Sequence, residues 1–478
     1  MKSRRFIFVV LLAVLVAAAI AAGTATSSTS PIAAAPGGTN AVLAQSDTVW
    51  FCPGLPPALP SRSARVTFAN IGAGPADVVV TDLADKGTAT QQSFRVPSNT
   101  VVTKNRDQLG APGALTVETF GGRILVEEGI EGVRALESTP CATRSAAHWY
   151  FGAGSTPRGV QQWLVIDNPY ASDAKVNVTL RTSTGVLRPD ALQGMDVMRR
   201  SRSVIPIHES AVRKDRVAVE VSVDLGSVVA AQTLVYSAVV GTPGVALSLG
   251  VPAAGTEWTF AGATAQPNSS AWVAIANVGA DDAQVEVQAT AESSKTTVLA
   301  PASVTVAQDN VVWVRLGQCA GATEKACIAI PNGVRYGLNV RSDQNLEIVA
   351  QTLGRLDNAP DVVGTITSPG AIDPAREWAY ARSRVRGERS TSVALFNPSA
   401  GPAVVDIGLV HGGRIDHPRA LQKITVPPGR SVTAVVVGGS KPSQTDAALM
   451  IVADQPIFVE RSITAVGEAA TAVGVVVG

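Results

Sequence analysis

A histidine beside acidic and hydroxyl side chains is the part of this sequence that most resembles catalytic machinery. His208-Glu209-Ser210 places an imidazole, a carboxylate and a hydroxyl side by side in the sequence. A hydrolase combines these groups as base, orienting acid and nucleophile. Neighbouring residues on a strand point to opposite faces, however. No Gly-x-Ser-x-Gly motif accompanies them, so we expect no hydrolase relay at this point.

The other candidate histidines flank a glycine pair. His411 and His417 lie on either side of Gly412-Gly413, a sequence that predicts a β-hairpin turn. The two imidazoles could meet across that turn, although a weakly charged hairpin is the expected structure. None of the four histidines stands in a metal-binding motif such as His-Glu-x-x-His. We therefore predict no metal, no cofactor and no enzymatic activity.

Three glutamates have the residue type that general acid–base catalysis uses in pairs. They are Glu127-Glu128 and Glu460, each near the end of a repeated block in which other copies carry Ala231 and Ala350. A position that tolerates alanine in other copies is typical of a structural repeat. We therefore expect these glutamates to be surface residues.

The four cysteines form two spatially plausible pairs. Outside the cytoplasm, so few cysteines in a long chain are typical of disulfides. We predict one bond from Cys52 to Cys141, clamping the beginning of a block to its end, and a second from Cys319 to Cys327, closing a short surface loop. A zinc site is the competing interpretation, but the sequence lacks both a Cys-x-x-Cys pair and a nearby His.

The elements that carry these residues repeat four times along the chain. Each copy opens with a Trp beside an aromatic or apolar residue and carries an Asn 19 or 20 residues later. The four pairs are Trp50 and Asn70, Trp149 and Asn168, Trp258 and Asn277, and Trp378 and Asn397. An apolar run precedes each Asn, and Pro or Gly follows within two residues. This pattern predicts a strand that ends in an Asn-stabilised turn.

The repeated tryptophans allow two interpretations. Exposed indoles would form platforms for sugar rings, whereas buried indoles would anchor the core of each block. A Trp at the same place in every copy favours the core interpretation, because repeats share their core positions first.

Short alternating runs between turn residues predict an all-β chain. We predict four tandem antiparallel β-sandwiches of the immunoglobulin-like kind behind an N-terminal helix. Their predicted ranges are 47–145, 146–254, 255–374 and 375–478. We call these ranges blocks 1 to 4.

The N-terminal segment is basic and then apolar. Residues 1–5 form a basic stub and 6–22 an unbroken apolar run. This order predicts an uncleaved signal anchor, with a cleaved signal peptide as the alternative. Residues 23–46 are rich in Thr, Ser, Ala, Pro and Gly, which predicts a flexible tether. We thus expect a single-pass plasma-membrane protein whose C-terminal region is extracytoplasmic, or alternatively a secreted protein.

The charge of the chain indicates which partners to expect. A net charge of +1 gives no field that would attract nucleic acid. Two local basic runs are candidates for contact with an anionic polymer or lipid headgroups, although solvated loops are the expected structure. These runs contain Arg199, Arg200, Arg202, Arg213 and Lys214, and Arg382, Arg384 and Arg386.

The order of landmarks also carries a family resemblance. A Trp-aromatic opening, an Asn-Pro or Asn-x-Gly turn and a closing Val459-Glu460-Arg461 resemble the repeated β domains of secreted bacterial proteins. As a whole, the chain resembles an actinobacterial envelope family known only as a domain of unknown function. The blocks are similar to immunoglobulin-like sandwiches in strand number. They differ in placing the Trp on the first strand and in lacking an inter-sheet cysteine pair.

These observations predict a non-enzymatic envelope protein that scaffolds or binds other envelope components, such as envelope proteins. The alternative is a polysaccharide-binding module that assists cell-wall glycan assembly.

Overall fold

The structure is almost entirely β. The computed structural model describes residues 42–478 except 44–46, 60–62, 84–88, 111–112, 133–134, 293–298, 322–325, 344, 359–361, 384–389, 437–445, 466–467 and 478. Nearly all pairs of neighbouring strands are antiparallel, and residues 36–478 form one compact unit. The all-β, antiparallel prediction is confirmed.

The predicted anchor at 6–22 and most of the predicted tether at 23–46 lie outside the described residues. In the part of the chain that is described, no helix combines the length and the apolar character needed to cross a membrane.

Block 1 contains two four-stranded sheets around a shared core. Its strands, with one strand that precedes it, are β1 (Val42–Leu43), β2 (Val49–Cys52), β3 (Ala64–Asn70), β4 (Ala76–Leu83), β5 (Thr90–Val96), β6 (Thr100–Asn105), β7 (Ala114–Phe120), β8 (Ile124–Gly132) and β9 (Ala135–Pro140). The sheets run β2-β7-β4-β5 and β6-β3-β8-β9. A 3-10 helix, Arg106–Gln108, follows β6.

Block 2 repeats this arrangement. Its strands are β10 (His148–Phe151), β11 (Val160–Asn168), β12 (Ala174–Thr182), β13 (Gly185–Leu187), β14 (Met195–Val197), β15 (Ser201–Pro206), β16 (Val217–Leu225), β17 (Val229–Tyr236) and β18 (Gly244–Leu249). One sheet runs β10-β16-β12-β13 with β14 also on β12, and the other runs β15-β11-β17-β18. Short helices are α1 (Ile207–Ser210) and the 3-10 turns Asp190–Leu192 and Ala238–Val240.

Block 3 has a sheet of four strands and a sheet of five. The strands are β19 (Glu257–Thr264), β20 (Ser270–Asn277), β21 (Ala283–Ala291), β22 (Ala302–Val306), β23 (Val311–Gly317), β24 (Cys327–Ala329), β25 (Arg335–Ser342), β26 (Ile348–Asn358) and β27 (Val362–Pro369). The sheets run β19-β25-β21-β22 and β24-β23-β20-β26-β27.

Block 4 joins its nine strands, together with β1, into one ten-stranded sheet through a single long strand. The strands are β28 (Ala375–Ser383), β29 (Ser390–Asn397), β30 (Ala403–His411), β31 (Arg414–Asp416), β32 (Ile424–Val426), β33 (Arg430–Val436), β34 (Ala447–Ala465), β35 (Glu468–Val473) and β36 (Val475–Val477). A 3-10 turn covers Arg419–Leu421. The first half of β34 pairs with β28 and β30, and its second half pairs with β29 and β35. The segment 453–456 lies within β34, where this strand passes from one set of partner strands to the other.

The repeated Asn marks the same break in every block. Each Asn is the last residue of its strand, and the next strand begins six residues later with an alanine. Those alanines are Ala76, Ala174, Ala283 and Ala403. In β21, buried residues alternate with more exposed ones along the whole strand, so one face packs on the core, as the period of two predicts.

The blocks pack against each other in cyclic order through their closing strands. Contacts run from β9 to β18, from β18 to β27, from β27 to β35, and from β35 back to β9. The core of block 1 also takes in Ala379 and Ala381 of block 4. In addition, β1 pairs with β36, so the two ends of the described chain lie side by side. Each block therefore shares an interface with the next one in the cycle, and these interfaces position the buried polar side chains between blocks.

Candidate functional site

The four repeated tryptophans are core residues. Their side chains are at most 1% exposed. In three blocks the indole Nε1 donates to a backbone oxygen of the facing sheet: Trp149 to Val228 at 2.8 Å, Trp258 to Ile348 at 2.8 Å and Trp378 to Ile457 at 3.0 Å. The indoles thus join the two sheets of a block and present no surface to a ligand.

The four repeated asparagines make one shared set of hydrogen bonds. Asn277 is fully buried; its Nδ2 donates to Asp281 O at 2.7 Å and to Val306 O at 2.9 Å. Its Oδ1 accepts from Gly279 N at 2.9 Å. The same side-chain bonds recur at Asn70, Asn168 and Asn397. Each Asn therefore closes its own turn and ties that turn to the opposite sheet.

Both predicted disulfides are present. Cys52 and Cys141 are bonded with Cα atoms 4.7 Å apart, and Cys319 and Cys327 with Cα atoms 5.8 Å apart. In the described part of the chain, no three His, Cys, Asp or Glu side chains come together as a metal site.

The basic runs do not form one surface. Arg199, Arg200 and Arg213 are exposed, and Lys214 is half-buried. Arg384 and Arg386 lie outside the described residues.

Two arginines of these runs are buried, which corrects their assignment as polyanion contacts. Arg202 Nη1 donates to Pro53 O at 3.1 Å and to Leu55 O at 3.0 Å in block 1. Arg382 is 1% exposed, and its Nη2 lies 2.8 Å from Glu131 Oε2. Both guanidinium groups are used between blocks and are not available to a polymer.

The histidines do not assemble a catalytic group. His208 lies on α1 and not on a strand as expected, and its Nδ1 lies 3.0 Å from Gln162 O. It lines a cavity of about 470 Å³ together with Arg158 and Arg213, and no described carboxylate lines that cavity.

The Gly-Gly hairpin is confirmed, with φ of 56° at Gly412 and 83° at Gly413. His411 Nε2 lies 2.9 Å from Asp416 Oδ2, so His411 bonds to a carboxylate and not to His417. Arg414 and, secondarily, His411 hold the pKa of Asp416 below its usual value. His411 and Asp416 are half-buried and Arg414 is exposed, so this arrangement is typical of a hairpin at the surface.

The glutamates expected at the surface are buried, and this is the main correction to the sequence analysis. Glu127 is 2% exposed, and Glu128 and Glu460 are 5% exposed. Glu127 and Glu460 lie on the outer faces of β8 and β34, which neighbouring blocks cover, whereas Glu128 points into block 1, where it accepts from Gly54 N. Sequence alternation identifies the face of a strand that points away from its own core, but it does not reveal that another block covers that face.

One residue in each block occupies the same place in the strand register. It pairs with the residue three places before the repeated Asn, and we call it the junction position. The junction positions are Glu127, Ala231, Gln351 and Glu460. Alignment of the four blocks by sequence put Ala350 at the junction position of block 3, whereas the strand register puts Gln351 there.

Junction side chains accept hydrogen bonds from the backbone of the next block. Glu127 Oε1 accepts from Ala381 N at 2.7 Å in block 4. Gln351 Oε1 accepts from Ala153 N at 3.1 Å in block 2. Glu460 accepts from the backbone of Ala261 and Gly262 in block 3 and from the Ser368 side chain. Each amide lies three or four residues after a repeated Trp, so the junctions follow one rule.

A different side chain connects blocks 2 and 1, because Ala231 at the junction position is too short to reach the next block. Arg202 crosses from block 2 instead, as described above. Within block 1, Gly54 N donates to Glu128 Oε2 at 3.1 Å. Burial raises the pKa of Glu128 to about 7, although Arg106 and Arg202 oppose the rise. Burial also holds the pKa of Asp167 well above its usual range, against the effect of Arg202.

The residue after each junction position faces the incoming side chain. Arg461 is 1% exposed and binds Glu127 with Nη1 at 3.1 and 2.9 Å from the two carboxylate oxygens. The same Nη1 donates to Arg382 O, and the guanidinium lies 4.7 Å from the ring centre of Tyr380. The equivalent residues in the other blocks are Glu128, Gln232 and Thr352. This buried network holds the blocks together.

Comparison with known proteins gives a family without a described function. A family of unknown function, DUF5719, matches residues 95–334, just over half of the 478 residues. The chain belongs to this family. The match begins in β5 and ends just before β25, so the DUF5719 region spans most of blocks 1 to 3. The expected membership of a family of unknown function is confirmed.

Other comparisons with this DUF5719 chain show only remote likeness. No curated protein matches it. A crystal structure of Thermotoga maritima 1070 is 14% identical over 22% of this chain and 94% of that chain, with a TM-score of 0.20. The α-L-rhamnosidase of Streptomyces avermitilis, complexed with L-rhamnose, is 9% identical over 83% of this chain and 54% of that chain, with a TM-score of 0.11. At these TM-scores neither likeness carries an argument.

Proposed function

We propose that this DUF5719 chain is a non-enzymatic extracytoplasmic scaffold that binds other components of the cell envelope. Its four blocks are tandem immunoglobulin-like sandwiches behind an N-terminal anchor at 6–22. The observation that carries the proposal is the burial of Trp50, Trp149, Trp258 and Trp378. These residues serve the core of each block, which leaves the outer strands and loops to meet partners.

The junctions support a rigid array. Buried hydrogen bonds connect block 1 with block 4, block 4 with block 3, and block 3 with block 2. Rigid, continuous interfaces suit a protein that holds partners at fixed positions, because binding then loses little conformational freedom. Two disulfides favour an oxidising compartment.

The polysaccharide-binding alternative depended on exposed, coplanar rings of the repeated tryptophans. Those indoles are inside the blocks, so this alternative needs another surface. Crosslinking distinguishes polysaccharide binding from binding to envelope proteins.

Crosslinking and pull-down from intact cells test the proposal. The full chain carries a photoreactive residue at an exposed strand position, for example Val404 or Val435. The matched control carries the same residue at the exposed hairpin position Arg414. Position-specific protein adducts are the expected result. Glycan adducts alone would support the alternative, and the absence of any position-specific adduct at a series of exposed sites would contradict both binding functions.

A second measurement tests the anchor. Mass spectrometry of the mature chain in the membrane fraction should show residues 1–22 retained. A chain that lacks them and appears in the medium would establish the secreted alternative.

A further inference from the structure

One of the four junctions lacks the partner that its neighbours have. At the junction between blocks 1 and 4, the carboxylate of Glu127 meets the guanidinium of Arg461. At the junction between blocks 3 and 2, the amides of Gln351 and Gln232 both bond to the backbone of Ala153. At both junctions the side chain from the junction position therefore faces a polar side chain of the next block: a cation for the carboxylate, and a second amide for the amide.

At the junction between blocks 4 and 3, the incoming group is again a carboxylate, that of Glu460. Strand register places Thr352 where the junction of blocks 1 and 4 has Arg461. The position four residues after the repeated Trp is Gly262, where the other junction has Arg382. Both arginine side chains of the equivalent network are therefore replaced by small residues.

A cavity lies at this place. Its volume is about 150 Å³, and its lining includes Glu460, Thr352, Gly262 and Phe260. Phe260 follows its repeated Trp by two residues, as does Tyr380, the ring against which Arg461 lies. The cavity thus has the carboxylate, the aromatic ring and the backbone of the arginine site, without an arginine.

Among the described residues, none supplies a compensating charge to Glu460. Its hydrogen-bond partners, Ser368, Ala261 and Gly262, are neutral donors, and no Lys or Arg of the described residues lies within ion-pair distance. Burial raises the pKa of Glu460 to about 7. Burial, and next the charge of Glu460, raise the pKa of Tyr336, another lining residue. A buried carboxylate beside an open cavity gains most from a cation, because a buried charge is costly until it is paired.

We propose that this cavity binds a small organic cation, a guanidinium group on a short apolar stem, which takes the position that Arg461 holds at the equivalent junction. The guanidinium binds the carboxylate of Glu460 and lies against Phe260, an arrangement that also gains cation–π attraction. The stem packs on Leu316, Leu338 and Leu356, which line the remaining space. A cavity of this volume accepts a six-membered ring in other proteins, so the group and a short stem fit.

The inference goes beyond the scaffold function and is independent of it. The same chemistry comes from a free alkylguanidine or from an arginine side chain of a partner protein. A blocked peptide with one arginine separates the two sources: if the peptide competes with the free cation, the cavity is open to a partner's side chain, and if it does not, the free cation is the ligand.

Calorimetric titration of the full chain with butylguanidinium tests the proposal, with butylurea as the uncharged ligand control. Butylguanidinium should bind and butylurea should not. Glu460→Gln should weaken binding about 100-fold, the size expected for loss of a buried charge partner. Binding should strengthen as the pH rises from 6 to 8, because the carboxyl group must lose its proton.

Two substitutions at one position separate charge from volume. Thr352→Arg supplies the guanidinium within the chain and should abolish binding, while Thr352→Met fills similar space without charge. Thr352→Arg alone should raise the melting temperature at pH 8 relative to Thr352→Met. Thr352→Ser, the conservative control, should leave binding intact.

The reciprocal experiment uses the occupied junction. Arg461→Ala opens the equivalent cavity beside Glu127, and butylguanidinium should restore part of the lost melting temperature. Equal binding to wild type and Glu460→Gln would overturn the proposal, as would no heat of binding in wild type when Arg461→Ala is rescued by the same ligand.

Discussion

The guanidinium of Arg461 bonds to both carboxylate oxygens of Glu127 across 334 residues of sequence. Both side chains are buried, at 1% and 2% exposure. Because Glu127 lies in block 1 and Arg461 in block 4, this pair joins the beginning of the folded chain to its end.

Breaking this pair should cost far more than breaking a surface pair. Arg461→Met leaves the Glu127 carboxylate buried without its cation and should lower the free energy of unfolding by roughly 3–5 kcal/mol. The double variant Glu127→Gln with Arg461→Met should recover part of that loss, because no unpaired charge remains. Urea denaturation measures both changes.

The control for this prediction is Arg95→Met, which breaks an exposed pair with Asp77 at 3.7 Å. That change should cost less than about 1 kcal/mol. Similar losses for Arg461→Met and Arg95→Met would show that the buried pair contributes little.

The repeated asparagine should be irreplaceable even by its nearest isostere. In Asn277→Asp, a carboxylate oxygen replaces the amide that donates to Asp281 O and Val306 O. The buried carbonyl of Val306 and the partly buried carbonyl of Asp281 then face an acceptor, and the free energy of unfolding should fall by about 3 kcal/mol. Asn332→Asp, at an exposed turn, is the matched control and should change stability little. Equal effects of the two substitutions would contradict the role assigned to Asn277.

The two disulfides should contribute unequally. The Cys52–Cys141 bond spans 89 residues and the Cys319–Cys327 bond spans 8. On the chain-entropy estimate, closing the longer loop contributes roughly 4 to 5 kcal/mol and the shorter about 2.5 kcal/mol. Replacing each pair by alanines and comparing urea midpoints measures the order. A larger loss from the shorter loop would mean that local strain or packing dominates over loop closure.

Stability should fall with rising pH because of Glu460. Burial raises the pKa of Glu460 from 4.5 to about 7 in the folded chain. The folded chain therefore holds a proton that the unfolded chain releases, so the contribution is complete below pH 4.5 and is lost as the pH rises through 7. A shift of this size corresponds to about 3 kcal/mol.

Glu460→Gln isolates this effect, since Glu128 titrates in the same direction with a pKa of about 7. The difference in unfolding free energy between wild type and Glu460→Gln should move in favour of the variant from pH 5 to pH 8. Tyr336 and Tyr380, the other titratable groups whose pKa Glu460 affects, stay neutral over this range. A difference that does not change with pH would show that Glu460 titrates normally.

The sequence predicts what repeats within each block. Trp258 and Asn277 could be assigned to a core and a turn because the same residue types recur at the same spacing, and Cys52 could be paired with Cys141 because they flank one block. These features depend on contacts inside a block, and four copies of the pattern reinforce each other.

The contacts between blocks could not be predicted in the same way. Glu127, Arg202 and Glu460 read as surface residues because they are charged and lie on the outer face of their sheets. Their burial depends on docking between segments that lie 149 to 254 residues apart, which no local pattern records. One signal was available in the sequence. Glu460-Arg461 and Glu127-Glu128 place consecutive charged residues inside otherwise apolar strands, a pattern that indicates buried polar contacts. His208 was misplaced for a simpler reason, since the single turn of α1 is too short to show a helical period.

The cyclic packing of the four blocks determines when each interface can form during synthesis. The contact between β35 and β9 brings block 4 onto block 1, so this interface forms only after β35 has been made. At the usual 5–20 residues per second, ribosomes need roughly 20 to 60 s to reach Arg461 after Glu127. During that interval the carboxylate of Glu127 remains hydrated, and its dehydration coincides with the arrival of its partner. Closure of this interface consequently follows the synthesis of block 4, and a nascent chain halted before β34 leaves the outer face of β8 without the residues that cover it.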